Sequence, residues 1–335
     1  MIFCEEDIEN PERKWIVFDG PVDAVWIENM NTVLDDNKIL CLTNGQKIKV
    51  TPQMNLMFEV ENLTDASPAT VSRCGMVFLE PSQLGWEPIL ESYIKYELPE
   101  IMEPMKKWIR MKMDWLLTPT LTYVRKYGKF PFLIDNMQMV NSVIKIFDAI
   151  VKKFADRENP YSGKEGEAAV NNFALFAVFW GVGVVLEEAP RKDFHQFMMK
   201  LIYFENVEEI YKLIIDKEWK PNKLTTNLGE DIDSLYDIVF DTASSSWMKW
   251  IKTVETWVPT KDEDIKYNEL IIPTTDTVRN SFFLRLMVDN RHHVLFTGPT
   301  GTAKTIGVVT ELKTTYATPE FGNIQTVFSG QTSAN

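Results

Sequence analysis

The sequence predicts an α/β protein in which strand-rich ends, each read as a parallel sheet with flanking helices, are joined by a largely helical middle. Three observations carry that expectation. Before residue 80, apolar runs of strand length alternate with short segments of helical spacing, the pattern of a sheet with crossovers. From Pro81 to about Lys217, aromatic and aliphatic residues recur at helical spacing. Towards the other end, a brief apolar run at 293–296 leads directly into a glycine-containing loop and another helix-like stretch.

Taken in order, Lys14-Trp-Ile-Val-Phe-Asp19 has the length and apolarity of a buried strand and ends in an acid. Val25, Trp26, Met30, Val33 and Leu34 follow at helical spacing, closed by Asp35, Asp36 and Asn37. Residues 39–42 and 47–50 flank Asn44-Gly45, and Asn-Gly between short strands signals a hairpin because both residues accept positive φ. A buried strand is expected over 54–60, a short helix over 66–72 and a third strand over 75–79. Within the helical middle, 157–168 is rich in Glu, Lys, Gly and Asn and reads as a loop. Pro190 reads as an interruption between helices, and 219–230 as a connection. A polar lead at 262–273 precedes a helix over 274–290, a strand over 293–296 opens a second sheet, and 325–329 is again strand-like. The expected units are therefore 1–85, the rear of an α/β module; 86–260, a helical lid and its connection; and 261–335, the front of the next α/β module.

Composition excludes several classes of function. Hydrophobic residues make up 45% and charged residues 25% of the 335, the balance of a folded chain with a sizeable core. The formal charge of −13 argues against a surface built to neutralise nucleic-acid phosphates, and short clusters such as Lys106-Lys107 and Lys152-Lys153 read as solvated helix faces. The longest apolar run, 173–186, falls short of the roughly 20 residues that cross a bilayer, so it is expected to be a buried helix. Cys4, Cys41 and Cys74 have neither metal-ligand nor disulfide-framework spacing, which fits a reducing compartment. The acidic start lacks the order of a secretory signal. No nucleic-acid or membrane role is expected.

Gly298-Pro-Thr-Gly301-Thr-Ala303-Lys304-Thr305, after an apolar run and before a helix, has the form of a phosphate-binding loop. Backbone N–H groups and the helix N-terminus would cradle a polyphosphate. Lys304 would reach its β and γ phosphates, and the Thr305 hydroxyl would meet Mg²⁺. Ala303 stands where glycine is usual, and a Cβ costs something where backbone bends sharply. The partner feature of such sites is an acid at a strand end that holds Mg²⁺, and Asp19 fits it. A strand ending in an N-capping acid is the plainer alternative. Gly20 follows where a hydrolytic site would place Glu, so that site is expected to bind better than it hydrolyses. No phosphate loop precedes Asp19 and no acid-ending strand follows Gly298, so both sites read as halves. Arg73, in Ala69-Thr-Val-Ser-Arg-Cys-Gly75, has two readings that stand side by side. One is an arginine finger acting on nucleotide held by a neighbour; the other is a cap on a helix C-terminus.

Together these motifs resemble the motor ring of dynein heavy chains, in which six AAA+ modules of the P-loop class lie on one polypeptide. Lys14-Trp-Ile-Val-Phe-Asp-Gly-Pro-Val-Asp23, Trp26-Ile-Glu-Asn-Met-Asn31, Val33-Leu-Asp-Asp-Asn-Lys38 and Ala69 to Gly75 resemble the second module. Pro273-Thr-Thr-Asp-Thr-Val-Arg279, the loop at Gly298 and Phe328-Ser-Gly-Gln-Thr-Ser-Ala-Asn335 resemble the opening of the third. The Gly-Pro-Val-Asp wording is closer to axonemal than to cytoplasmic dyneins.

The resemblance implies an ATP-driven microtubule motor fragment that binds ATP or ADP with Mg²⁺. It places Asp19 in the second module's nucleotide site and Arg73 at the family's finger position, directed at nucleotide of the first module. Its implied partners are the remaining modules, other dynein chains and, through parts elsewhere in the parent, microtubules. The implied location is cytoplasm and cytoskeleton, in a cilium or flagellum axoneme. Two departures stand out: Glu59 and Val60 occupy the region of the usual sensor Asn, and Phe176 lies where a sensor Arg would. The isolated chain is expected to be inactive as an ATPase. The competing expectation is a non-catalytic nucleotide-binding or structural ring module.

Overall fold

In the computed structural model, which describes residues 1–329 other than 8, 43, 156–162, 206, 215–218, 220–223, 225, 230–231 and 258–271, contacts divide the chain into two units, Met1–Gln83 and Leu84–Asn335. The first begins with a short helix, α1 (Ile2–Glu6), and strand β1 (Lys14–Asp19). Helices α2 (Ala24–Asn29) and α3 (Asn31–Leu34) follow, then the hairpin β2 (Ile39–Cys41) and β3 (Lys47–Lys49), strand β4 (Met54–Glu59) and helix α4 (Pro68–Val71). Strands β1 and β4 pair in parallel, from Lys14 opposite Met54 to Asp19 opposite Glu59.

Alternation along these strands decides what the sheet covers. Phe18 stacks on Phe58 with ring centroids 4.9 Å apart and on Trp26 at 6.0 Å, over Met30 and Val33 of the helical face. Trp15 and Val17, on the opposite face, are 57% and 54% exposed. The Asn44-Gly45 turn forms as expected, with Gly45 at φ +85° and its N–H bonded to Leu42 O at 2.9 Å. Helix α4 starts at Ser67, whose hydroxyl accepts from Thr70 N–H, with Pro68 at the first position, where its missing N–H costs nothing.

After α5 (Pro81–Leu84), which spans the division, the second unit is helical: α6 (Glu87–Ser92), α7 (Lys106–Tyr127), α8 (Asn136–Ala155), α9 (Gly163–Gly183), α10 (Glu188–Tyr203) and α11 (Val207–Leu213). A hairpin, β5 (Ile238–Asp241) with β6 (Ser246–Lys249), precedes α12 (Thr275–Asp289) and α13 (Lys304–Thr314). Start signals are local. Gln138 N–H bonds to Asp135 Oδ1 at 2.7 Å while Asp135 N–H bonds to Gln138 Oε1 at 3.0 Å, a reciprocal cap on α8. Thr274 and Thr277 cap α12 in the same way. Helix α9, apolar on nearly every side, lies at the centre, with Phe173, Phe176, Val178 and Trp180 all buried.

Several sequence expectations are corrected. Residues 75–79, 293–296 and 325–329 are not strands, so no second sheet opens at 293 among the described residues. Many of their side chains stand in solvent, Val77 at 83%, Leu295 at 79% and Val327 at 94% exposure, although Val294 packs against the helical core. Strand propensity without a paired neighbour leaves backbone groups with no ladder to join. The loop expected over 157–168 is helical from Gly163 onward, and its residues 157–162 lie outside the described set. Pro190 does not interrupt a helix; it sits in the first turn of α10, where proline is tolerated. The β5–β6 hairpin stands within 86–260, where the sequence predicts helices and a connection.

Helices α8 and α9 approach so closely at Gly181 that a Cβ there would lie 2.5 Å from Val143 Cγ2 and 2.8 Å from Val143 Cα. Gly181→Ala is therefore expected to destabilise the helical unit by about 1–3 kcal/mol, read as a lower denaturant midpoint at unchanged slope.

Candidate functional site

The phosphate-loop motif folds as a compact turn into a helix. Gly301 has φ +83°, a region open to glycine, and Ala303 follows at φ 57°, ψ 14° as the residue immediately before α13. Gly298 opens the loop. The Lys304 ammonium curls back over it, donating to Gly298 O at 2.9 Å, to Pro299 O and to Thr302 Oγ1 at 3.0 Å. Thr302 Oγ1 in turn donates to Pro299 O at 2.8 Å. Thr305 lies exposed in the first turn of α13. Gly298, Gly301, Ala303, Lys304 and Thr305 are thus gathered in one loop, with a cation inside its curve and a helix N-terminus behind it. Such an arrangement attracts polyphosphate oxygens through fixed N–H dipoles and one mobile positive charge.

What holds this loop in place was not legible from the motif. On α12, Arg285 donates to Glu311 of α13 through both Nε, 2.7 Å from Oε2, and Nη2, 2.9 Å from Oε1. Thr315 Oγ1 adds a bond to Glu311 Oε2 at 2.7 Å, and Tyr316 OH bonds to Asp289 Oδ1 at 2.8 Å. Glu311 is only 4% exposed. Burial pushes its carboxyl pKa up, but hydrogen bonds from Arg285, Thr315 and Ser281 outweigh burial and hold it below the usual carboxylate value. The only hint in the sequence is an apolar helix face that carries one acid.

Helix α12 is itself anchored in the core of the helical unit. Phe283 stacks on Phe176 with centroids 5.8 Å apart and packs on Trp180 at 4.7 Å, while Phe282 meets Trp250 at 5.2 Å. Just past α12, His292 Nε2 stands 3.8 Å from Asp148 Oδ2, a buried carboxylate that also accepts from Tyr93 OH at 3.2 Å and Lys152 Nζ at 2.6 Å. A cleft of about 320 Å³ borders this cluster. It does not include the loop.

Asp19 and Arg73 belong to the other unit. Asp19 ends β1 exposed, opposite Glu59, with Gly20 N–H bonded to Glu59 O at 3.2 Å. Arg73 follows α4 and makes the contacts of its plainer reading: Nη1 donates to Ala69 O at 2.7 Å, and Nε pairs with Asp35 Oδ1. Among the described residues no group of three His, Cys, Asp or Glu side chains is arranged to hold a metal ion. Phe176, at the position of an expected sensor Arg, is buried core.

Two family models match the chain. One, a dynein heavy chain AAA lid domain, covers residues 109–252, and the other, a P-loop containing dynein motor region, covers residues 259–335. Among curated proteins, the chain is 36% identical over 331 residues to dynein axonemal heavy chain 12 of Mus musculus and 38% over 309 residues to dynein axonemal heavy chain 3 of Homo sapiens. It is 37% identical over 332 residues to dynein axonemal heavy chain 1 of Mus musculus. The alignments take in 98%, 88% and 96% of this chain but 10%, 7% and 8% of those proteins. The chain spans a tenth or less of the length of these relatives.

The Arg285–Glu311 pair gives two expectations for stability. Arg285→Ala leaves a buried carboxylate without its main donor and is expected to cost about 1–3 kcal/mol. Because the folded-state pKa of Glu311 is depressed, its contribution is complete above its ordinary value of 4.5 and is lost as pH falls through the lowered one. In Glu311→Gln the acid limb of the stability–pH curve should be correspondingly shallower, measured by denaturation at stepped pH.

Proposed function

The chain belongs to the dynein heavy chain family, and from that premise we propose that it is a segment of an ATP-driven microtubule motor ring, spanning most of the second AAA+ module and the opening of the third. In this reading 1–85 is the rear of one large α/β subdomain, 86–260 its helical lid and connection, and 261–335 the front of the next module. The observation that carries the reading is the loop at Gly298, with the Lys304 ammonium inside its curve and α13 behind it.

The residues present fit a nucleoside di- or triphosphate. Phosphate oxygens would take the Lys304 ammonium away from Gly298 O and Pro299 O and meet the N–H groups at the start of α13. Thr305 would hold Mg²⁺ through its hydroxyl, the ion supplying charge neutralisation across the phosphates, with few protein ligands as is usual for this metal. Asp19, exposed at the end of β1, would hold Mg²⁺ in the second module's site. Gly20 beside it has no side chain to polarise water, which favours binding over hydrolysis there. Arg73 would stabilise phosphoryl-transfer charge on nucleotide of the first module. The partners are then the remaining modules of the parent, other dynein chains and microtubules, and the setting is the cytoskeleton of a cilium or flagellum axoneme.

A second reading, a ring module that holds geometry without a catalytic part, is favoured by one observation. Arg73 is already engaged by Asp35 and by Ala69 O at the end of α4. A finger role requires the guanidinium to release or share those contacts.

Lys304→Ala is expected to abolish binding of Mg-nucleotide by the chain, measured by titration with a fluorescent ADP, while the unmodified chain binds with no steady ATP turnover. Robust turnover lost on Lys304→Ala would contradict the division of sites. In the full-length parent, Arg73→Ala should lower microtubule-stimulated turnover by roughly 10³-fold or more if it is a finger. Unchanged turnover would leave only its structural contacts.

A further inference from the structure

Ala303 is the one residue of the phosphate loop whose side chain conflicts with its backbone. At φ 57°, ψ 14° it occupies the left-handed region, which an L residue with a Cβ enters at a cost and glycine enters freely. It makes no side-chain cap to α13 that would offset that cost. The conformation is set by its surroundings. The Lys304 ammonium bonds to Gly298 O, Pro299 O and Thr302 Oγ1, and Thr302 Oγ1 bonds to Pro299 O, so the loop is laced together on either side of Ala303.

That lacing depends on the same ammonium a phosphate would claim. Once Lys304 turns to a ligand, its bonds to Gly298 O and Pro299 O are given up, and the left-handed turn at 303 is left with the helical bond from Gly307 N–H to Ala303 O at 3.0 Å and the Thr302–Pro299 bond. An alanine there returns readily to right-handed or extended backbone, in which the loop amides diverge. The fraction of loops competent to grasp phosphate falls, and apparent affinity falls with it.

We propose that Ala303 is a positioning residue that sets the nucleotide affinity of this loop, keeping it weak through the backbone conformation it must adopt. The proposal rests on the reading of the loop as a nucleotide site. It concerns affinity and involves no contact between the Ala303 methyl and the ligand.

The test is a titration of the chain with Mg²⁺ and a fluorescent ADP for the series Gly, Asn, Ala and Val at position 303. Asparagine has a larger side chain than alanine but tolerates left-handed backbone, whereas valine resists it. Ala303→Gly is expected to bind roughly three- to tenfold tighter, Ala303→Asn to fall between glycine and alanine, and Ala303→Val to bind more weakly than alanine. Should the valine variant not fold, glycine and asparagine still decide. If Asn binds more weakly than Ala while Gly binds more tightly, crowding by the side chain is responsible and the proposal is overturned. Equal affinities overturn it too, as does a higher thermal midpoint for Ala303→Gly without nucleotide and with unchanged affinity, since the strain would then be carried equally in both states. Lys304→Ala in each background separates the premise: binding that survives it shows that the loop is not the nucleotide site.

Discussion

Phe176 and Trp180 of α9, set against Phe282 and Phe283 of α12, form the contact on which the arrangement of the second unit depends. Helix α9 is apolar on nearly all sides and must be enclosed, so α7, α8, α10 and the β5–β6 hairpin gather around it. The face left over is closed by α12. Aromatic pairs of this kind add directional preference to area burial, so α12 is fixed in orientation as well as position. The bidentate Arg285–Glu311 pair then transmits that orientation to α13, and α13 carries the phosphate loop at its N-terminus. A loop that must hold N–H groups towards an anion is thereby seated on a rigid base two helices deep.

Much of this was legible in the sequence, for reasons that differ by element. The loop at Gly298 could be read because its chemistry lies in eight consecutive residues. The Asn44-Gly45 hairpin is similarly local. The apolar run 173–186 marks its burial through composition alone. The segments 75–79, 293–296 and 325–329 failed as strands because a strand is a statement about a neighbour, and apolar alternation does not name one. The β5–β6 hairpin hid in plain sight: Ile238-Val-Phe-Asp241 is β-branched and aromatic, but its turn, Thr242 to Ser245, lacks Asn-Gly. Arg285 and Glu311 lie 26 residues apart, and only the packed helices bring them together.

Asp19 and Arg73 illustrate the distance between position and role. Asp19 stands at the end of a parallel strand and Arg73 just past a short helix, though the strand expected after Arg73 does not form. Asp19 is exposed and free to meet a cation, whereas Arg73 is held by Asp35 and Ala69 O. A surface ion pair of this type is weak, on the order of 0–1 kcal/mol, so it does not by itself keep Arg73 from a stronger anionic partner. Asp19 and Lys304 fall in separate units, Met1–Gln83 and Leu84–Asn335.

That α12, the helix on which α13 and its loop are seated, belongs to the core of the second unit is tested most directly by native-state hydrogen exchange on the chain without nucleotide. Amides of α12 from Val278 to Asp289 should exchange as slowly as those in the middle of α8 and α9, and lose protection together with them as denaturant is added. Fast exchange in α12 through local opening, with α8 and α9 still fully protected, would contradict it.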